Sequence, residues 1–227
     1  MVAADKSADH IVVVANGEFA PAERLLPFID AAEQVIAADG GANALAQYGR
    51  YPDVLVGDMD SVNPEVLARI GNGTCRLLRH PTDKDETDTE LALLEAVRLG
   101  AKRITLLGVL GGRIDHTLAN VLLLTLPALA GCTVRIYDGR SSLFLVREHC
   151  EVHGHMGDLL SLIAINGDVL GVRTEGLQYP LHDEALRFGP ARGISNVLLG
   201  EVARVHLCAG MLLLIHTPLD YKGRQDG

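Results

Sequence analysis

The sequence has no tryptophan and only four cysteines among its 227 residues. The cysteines are Cys75, Cys132, Cys150 and Cys208. Their wide spacing contains no C-x-x-C pair, which argues against a zinc ribbon and gives no sign of a disulfide framework. Because thiols stay reduced in the cytosol, this cysteine usage favours a reducing compartment. We therefore expect a cytoplasmic protein.

Clusters of basic residues are also missing, since 20 Lys and Arg stand against 29 Asp and Glu and the net charge is -9. A duplex-binding surface needs cations that neutralise phosphates, so we expect no nucleic-acid partner. The first ten residues lack the basic start and the apolar run of a signal peptide. The longest apolar stretch, 117–134, contains Asn120, Pro127 and Gly131. It predicts a buried helix followed by a strand rather than a membrane span.

Apolar strand patterns alternate with helical patterns through the first 138 residues. The predicted strands are 10–15, 35–38, 54–56, 75–79, 104–107 and 132–137. Such alternation implies right-handed crossovers and a mainly parallel, Rossmann-like sheet covered by helices. Beyond residue 139 the pattern changes to short β runs at 143–147, 158–165, 169–174, 197–199, 203–207 and 211–216. The sequence therefore predicts an α/β domain at 1–138 and an all-β sandwich domain at 139–227.

Two carboxylates, Asp58 and Asp60, directly follow the third predicted strand. If the backbone stays extended, residues two apart point to the same side, and the two carboxylates project together. Paired carboxylates repel each other unless a cation lies between them, and oxygen ligands of this kind suit magnesium. The alternative is a polar turn before the helix that Asn63-Pro64 begins.

Similar polar clusters follow three other predicted strands, at 39–41, 84–88 and 111–116. Ligands of open α/β sheets bind beyond the carboxyl ends of the strands, so the clusters predict a shared anion and metal site. Backbone N–H groups of Gly108, Gly111 and Gly112 can approach phosphate oxygens. Lys84 and Arg113 can balance the charge of a polyphosphate. The spacing matches neither the standard P-loop nor the dinucleotide fingerprint.

Some of these residues also have simpler interpretations. Asp88 could serve only as a first-turn anion favoured by the helix dipole, and His116 only as a helix cap. A further cluster consists of His149, Cys150, His153 and His155. No second cluster completes a transition-metal site there, so we interpret it as a solvated hairpin.

Seven motifs occur in order along the chain. They are ADGGAN at 38–43, DVLVGDMDS at 53–61, KDETDTELAL at 84–93, GGRIDH-x3-N at 111–120, GD-x2-SLI at 157–163, GLQYPL at 176–181 and GISN at 193–196. Each motif alone is weak, but the ordered set covers nearly the whole chain. In this combination the sequence resembles the thiamine pyrophosphokinase family.

The resemblance implies a fold, an assembly and a reaction. The fold is an N-terminal α/β domain with a C-terminal β-sandwich, in a homodimer that binds thiamine near the subunit interface. The reaction converts ATP and thiamine into AMP and thiamine diphosphate with magnesium, and the thiamine hydroxyl attacks the β-phosphorus. Such transfer depends mainly on positioning and charge neutralisation, which the acidic cluster and the two cations would supply.

The resemblance also implies roles for individual residues. The metal ligands would be Asp58, Asp60 and Asp88, with Asp85 as a further ligand or the catalytic base. The ATP-binding residues would be Asp39, Gly40, Gly41, Ala42, Lys84, Thr87, Gly111, Gly112, Arg113, Asp115, His116 and Asn120. In the β-domain, Tyr179 would stack on the thiamine pyrimidine, while Ser195 and Asn196 would hydrogen-bond to it. Some family members carry tryptophan where this chain has Tyr179.

Two other functions fit parts of the sequence. One is a nucleotide-sugar-dependent transferase, because Asp58-x-Asp60 resembles a metal-binding D-x-D pair. That hypothesis leaves the 84–88 and 111–116 clusters unexplained, and product analysis with thiamine would separate the two. The other is a non-enzymatic nucleotide sensor, which should tolerate the loss of a carboxylate needed only in the transition state.

Overall fold

The computed structural model describes residues 9–219. Most of the N-terminal segment that lacks a signal-peptide pattern lies outside these residues. The chain divides into two compact units, Met1–Gly139 and Arg140–Gly227. Within the described range, no helix is both long and apolar enough to span a membrane.

The first unit contains six parallel strands in the order β6-β5-β1-β2-β3-β4. They are β1 (His10–Val14), β2 (Gln34–Ala38), β3 (Val54–Gly57), β4 (Arg76–Arg79), β5 (Arg103–Leu107) and β6 (Thr133–Tyr137). The helices are α1 (Ala22–Asp30), α2 (Gly41–Gln47), α3 (Pro64–Gly71), α4 (Asp88–Arg98) and α5 (Ile114–Leu123), followed by a 3-10 turn at Pro127–Leu129. This architecture confirms the predicted parallel, helix-covered sheet.

Local sequence signals account for the position of α4. The Thr87 hydroxyl oxygen accepts the Glu90 N–H at 3.2 Å, which satisfies one of the free donors of the first helical turn. Glu95 is buried in the middle of this helix and contacts the guanidinium groups of Arg76 and Arg98. Burial raises the pKa of Glu95, but the hydrogen bond from Arg98 and the charge of Arg76 outweigh it, so the pKa is lowered. Helix α4 is thereby tied to the edge strand β4.

The second unit consists of eight antiparallel strands in two sheets. The strands are β7 (Ser142–Val146), β8 (His149–His153), β9 (Leu159–Ala164), β10 (Val169–Glu175), β11 (His182–Leu186), β12 (Asn196–Val197), β13 (Val202–His206) and β14 (Leu212–Thr217). One sheet has the order β12-β9-β14-β7 and the other β11-β10-β13-β8. One apolar core contains residues of both sheets, among them Leu160 of β9 and Val205 of β13. The unit is therefore a β-sandwich, as predicted.

Strands β8 and β11 are absent from the sequence-based prediction. In β8 the side chains of His149, Glu151 and His153 are polar and more exposed than their neighbours. Cys150 and Val152 alternate with them and contribute to the core. A strand with one solvated face can carry so many polar residues that its apolar run disappears, and this hid both strands.

Candidate active site

A cavity of about 830 Å³ lies at the carboxyl ends of the strands of the first unit. Strand order reverses between β1 and β5, because the chain places β2, β3 and β4 on one side of β1 and β5 on the other. Ligands of open α/β folds bind at such a switch point. The cavity is lined by residues that follow β1, β2, β3 and β5 and by the segment that leads into α4. Its volume is in the range of small-molecule sites.

Three carboxylates meet in this cavity, from Asp39, Asp58 and Asp88. Their ligand oxygens all lie within 4.8 Å of one another. Asp39 follows β2 with a left-handed φ of 43°, and its N–H donates to the Val56 carbonyl of β3 at 2.8 Å. The backbone bond between neighbouring strands therefore holds Asp39 beside the end of β3. The structure thus places Asp39 beside Asp58 and Asp88, two of the three residues predicted as metal ligands.

The carboxylate cluster has the electrostatics of a cation site. Asp39 is 9% exposed, and its Oδ1 is buried without a hydrogen-bond partner. Burial raises the pKa of Asp39, and the charges of Asp88 and Asp58 add to that effect. A divalent cation would supply the missing partner and offset the repulsion, and magnesium prefers oxygen ligands of this kind. The residues therefore fit a magnesium ion.

Asp60 lies in the same cavity but not in the three-carboxylate cluster. The expectation of an extended backbone was wrong, because Met59 has a φ of 69° and the chain turns there. The Asp60 N–H donates to Asp58 Oδ1 at 3.2 Å, which lowers the pKa of Asp58. Asp60 Oδ1 in turn accepts the Ser61 hydroxyl at 2.9 Å. A metal-binding role for Asp60 stays a prediction.

Two cationic side chains line the same cavity. Lys84 Nζ lies 3.0 Å from Asp88 Oδ1 and donates to the Pro81 carbonyl at 3.0 Å. Arg113 lines the cavity, and its guanidinium pairs with the exposed Asp115 through an NH2 to Oδ2 distance of 2.5 Å. The hydrogen bond from Arg113 lowers the pKa of Asp115. The site thus contains both the anions that hold a cation and the cations that balance a polyphosphate.

The structure brings most of the predicted nucleotide-site residues together. Those that line the cavity are Asp39, Gly40, Asp58, Asp60, Lys84, Thr87, Asp88, Gly111, Gly112, Arg113, His116 and Asn120. Gly41, Ala42, Asp85 and Asp115 are not among the lining residues, and their predicted roles stay predictions. Gly41 is explained by packing, because a Cβ there would lie 2.1 Å from the Val14 carbonyl oxygen. Ala42 is fully buried in the core, and Asp85 is exposed.

Sequence reasoning missed several residues of the cavity, including Asn16, Ser61, Thr82 and Glu86. The Asn16 side chain packs directly on Gly40, since a Cβ at Gly40 would lie 2.5 Å from Asn16 Nδ2. The signal was present in the sequence, because Asn16 follows the first predicted strand just as Asp39 and Asp58 follow the next two.

The predicted thiamine residues lie together in the second unit. The Tyr179 side chain is 62% exposed, while Asn196 is buried. The Tyr179 N–H donates to Asn196 Oδ1 at 3.0 Å, and Asn196 Nδ2 donates to the Tyr179 carbonyl at 2.7 Å. Asn196 therefore fixes the backbone that presents Tyr179. Ser195 is exposed with a φ of 57°, and its N–H donates to the Ser161 hydroxyl oxygen at 3.0 Å.

The histidine-rich segment does not form a metal site among residues 9–219. His149 and His153 lie on β8, whereas the His155 N–H donates to Asp158 Oδ2 at 2.9 Å. Within the described part of the chain, the Asp39, Asp58 and Asp88 cluster is the one group that meets the geometric requirement for holding a metal ion.

The fold and the site define a two-unit protein of the nucleotide-dependent transferase class, because a carboxylate cluster, cations and a glycine turn meet at the switch point of an α/β sheet. Residues 25–136 match the family model described as thiamin pyrophosphokinase, catalytic domain. Residues 147–212 match the model described as thiamin pyrophosphokinase, vitamin B1 binding domain. The chain belongs to the thiamine pyrophosphokinase family.

Individual relatives and solved structures agree with this membership. The chain is 27% identical to the thiamine pyrophosphokinase of Bacillus subtilis (strain 168), over 91% of this chain and 98% of that protein. It is 30% identical to thiamine pyrophosphokinase 3 of Oryza sativa subsp. japonica, over 76% and 73% of the two chains. The Bacillus subtilis crystal structure superposes with a TM-score of 0.82 at 25% identity, covering 92% of this chain and 99% of that one. The Candida albicans enzyme, at 16% identity and a TM-score of 0.79 over 94% and 90% of the chains, shares the fold.

Proposed function

We propose that this protein transfers the terminal diphosphate of ATP to the hydroxyl of thiamine, giving thiamine diphosphate and AMP. The observation that carries the proposal is the meeting of Asp39, Asp58 and Asp88 beside Lys84 at the strand ends. Family membership supplies the acceptor, because the relatives are named for thiamine. In the proposed step the thiamine oxygen bonds to the β-phosphorus, the bond from that phosphorus to the α-phosphate oxygen breaks, and AMP leaves.

The cationic and anionic side chains of the site would have different roles. Lys84 and Arg113 would neutralise phosphate oxygens and hold the chain of phosphates in place. The carboxylates of Asp39, Asp58 and Asp88 would hold magnesium, which stabilises the charge that builds on the phosphates when it is bound. The hydroxyl proton passes to a base, and Asp85 stays a prediction for that role.

Chromatography of the products tests this function directly. Purified protein with magnesium, ATP and thiamine should yield AMP and thiamine diphosphate in a one-to-one ratio. ADP with thiamine monophosphate would identify a simple kinase on the same scaffold. Bound ATP without any thiamine product would favour the nucleotide sensor, and transfer from a nucleotide-sugar would favour the D-x-D transferase.

The assembly is proposed to be a homodimer in the cytoplasm. Apolar side chains at Ile114, Leu118 and Leu122 recur at every fourth residue of α5 and are 75%, 60% and 52% exposed. In the second unit, Leu159 and Ile163 of β9 are exposed on the face opposite the core. An exposed apolar row such as the one on α5 is typical of an interaction site. Light scattering should give twice the 24.3 kDa chain mass, and a monomer would contradict the proposal.

Tyr179 is expected to stack on the thiamine ring, and its replacement separates the two substrates. Tyr179→Ala should raise the KM for thiamine about fivefold to thirtyfold, the scale of about 1–2 kcal/mol for an aromatic face on a cationic ligand. The KM for ATP should stay within about twofold, and Tyr179→Phe should behave like the wild type. Phe188→Ala, which removes another exposed aromatic ring of the same unit, is the control. Equal increases for both substrates would make Tyr179 a structural residue.

A further inference from the structure

The segment after β1 packs against the glycine turn that joins β5 to α5. The Gly17 N–H donates to the Gly108 carbonyl at 2.6 Å, and the Glu18 N–H donates to the Leu110 carbonyl at 2.9 Å. Two backbone bonds therefore fasten the loop at 17–18 to the loop at 108–110. Neither bond uses a side chain, but position 17 needs glycine, because a Cβ there would lie 2.5 Å from the carbonyl oxygens of Gly108 and Leu110.

The Glu18 side chain adds a contact that only particular residues can make. Its Oε1 accepts the Gly112 N–H at 3.1 Å. Its stem lies directly over Gly111, where a Cβ would come within 2.5 Å of Glu18 Cγ and Cδ. Gly111 also has a φ of 83°, a conformation that favours glycine. The carboxylate of Glu18 thus closes over the turn and holds one of its N–H groups.

The same turn sets the start of α5 and the residues that this helix presents to the cavity. Gly112 directly precedes Arg113, and Arg113 and His116 both line the cavity. From the other side the turn is held by α5 itself, because Thr117 Oγ1 donates to the Gly111 carbonyl at 3.3 Å and Asn120 Nδ2 donates to the Val109 carbonyl at 2.8 Å. Glu18 holds the turn from outside the helix through its hydrogen bond with the Gly112 N–H.

We propose that Glu18 is a positioning residue for the nucleotide, acting through the Gly112 N–H on the orientation of Arg113 and His116. Glu18 is not among the residues that line the cavity, so it acts without touching the ligand. The inference rests on the proposed function, since it concerns the phosphate-binding side of the same site. It also assigns the Gly112 N–H to Glu18 rather than to a phosphate oxygen.

If Glu18 instead competed with the nucleotide for the turn, its replacement would change ATP affinity in the opposite direction. Glycine turns before a helix bind anions through their N–H groups, and a carboxylate bound there could compete with the nucleotide phosphate. A competitor would lower ATP affinity in the wild type, so its removal would tighten binding. A positioning residue raises ATP affinity, so its removal would weaken binding.

The experiment compares Glu18→Ala and Glu18→Gln with the wild type. Gln keeps the acceptor oxygen and the stem, whereas Ala removes both. Glu18→Ala should weaken ATP binding, measured by calorimetry with magnesium and without thiamine, about threefold to tenfold, the effect of losing one hydrogen bond. Glu18→Gln should stay within about twofold of the wild type, because an amide oxygen accepts the N–H as well.

Two further readouts distinguish positioning from general destabilisation. Amide exchange of Gly112, followed by NMR, should accelerate in Glu18→Ala and stay slow in Glu18→Gln. The KM for ATP should rise in Glu18→Ala while kcat stays within about twofold. Glu23→Ala, which removes an exposed carboxylate from the first turn of α1, should change none of these quantities.

The possible outcomes separate this proposal from the proposed function. Tighter ATP binding in both Glu18 variants would overturn positioning in favour of competition. Unchanged binding and exchange in Glu18→Ala would also overturn it, as would a loss in Glu18→Gln equal to that in Glu18→Ala. A wild type that binds ATP but forms no thiamine diphosphate would count against the function alone, because affinity and exchange are measured without thiamine.

Discussion

Replacing Asp88 with asparagine lowers kcat by about 100-fold or more, the scale of removing one preorganised electrostatic group. Asp88 contributes one of the three carboxylates whose oxygens lie within 4.8 Å of one another. Asparagine keeps the shape of the side chain but removes the charge that would hold a cation. Steady-state kinetics with magnesium, ATP and thiamine measure the effect, and manganese binding by the apoprotein should weaken in parallel.

The same variant should change stability little. The charge of Asp88 contributes to the raised pKa of Asp39, but it also pairs with Lys84, whose Nζ lies 3.0 Å from Asp88 Oδ1. Removing that charge relieves the repulsion among the carboxylates and removes the ion pair with Lys84, so the melting temperature should stay close to that of the wild type. Asp83→Asn, in the exposed turn before the site, is the control for charge alone. Turnover of Asp88→Asn within about threefold of the wild type would exclude Asp88 from the cation site.

Asp158 should carry the largest effect on stability in the second unit. Its side chain is 2% exposed and accepts hydrogen bonds from the His155 and Leu219 N–H groups at 2.9 Å each. His216 Nε2 lies 3.0 Å from the same carboxylate. Asp158→Ala leaves these groups without their acceptor, which should lower the free energy of unfolding by about 3–5 kcal/mol. Urea unfolding monitored by circular dichroism measures the loss.

Two variants make this prediction specific. Asp158→Asn keeps one acceptor oxygen and should lose less, about 1–3 kcal/mol, because part of the hydrogen bonding survives. Asp168→Ala is the matched control: Asp168 also accepts two hydrogen bonds, from Phe188 N–H and Arg187, but its side chain is 42% exposed. Its replacement should cost about 1 kcal/mol or less. Equal losses of unfolding free energy in Asp158→Ala and Asp168→Ala would contradict the prediction that the larger effect of Asp158 comes from its burial.

The contribution of Asp158 should depend on pH with a definite sign. Burial raises the pKa of Asp158, but hydrogen bonds from His155, Leu219 and His216 outweigh it, so the pKa is lowered. Because the pKa is lower in the folded state, ionised Asp158 stabilises the fold at pH values above its unfolded-state pKa of about 4. This stabilisation is lost as the pH falls towards the folded-state pKa. The difference in stability between the wild type and Asp158→Asn should therefore be full at pH 6 and shrink below about pH 4. A difference that grows on acidification would contradict this assignment.

Local patterns in the sequence were sufficient for the architecture of the first unit. Strands β1, β2, β3 and β5 are buried over most of their length and consist mainly of apolar residues, as Ile11–Val14 of β1 shows. Strands β4 and β6 are partly exposed and carry arginines, but each still contains two apolar core-side residues. The start of α4 was equally predictable, because the Thr87 cap acts over three residues. The strands of the second unit were harder to predict from the sequence. Its strands β8 and β11 have one solvated face, so their polar residues concealed them.

The sequence by itself determined which polar residues follow which strands. Because parallel strands place their carboxyl ends on one edge of a sheet, it also determined that these residues lie along the same edge. Only the tertiary structure decided which of these side chains meet. It brought Asp39 to Asp58 and Asp88, since backbone pairing sets the strands side by side, and it turned the chain at Met59 so that Asp60 lies outside the cluster. The contact of Glu18 with Gly112 joins loops 94 positions apart. No local pattern carries such information, because it arises from strand order in the folded sheet.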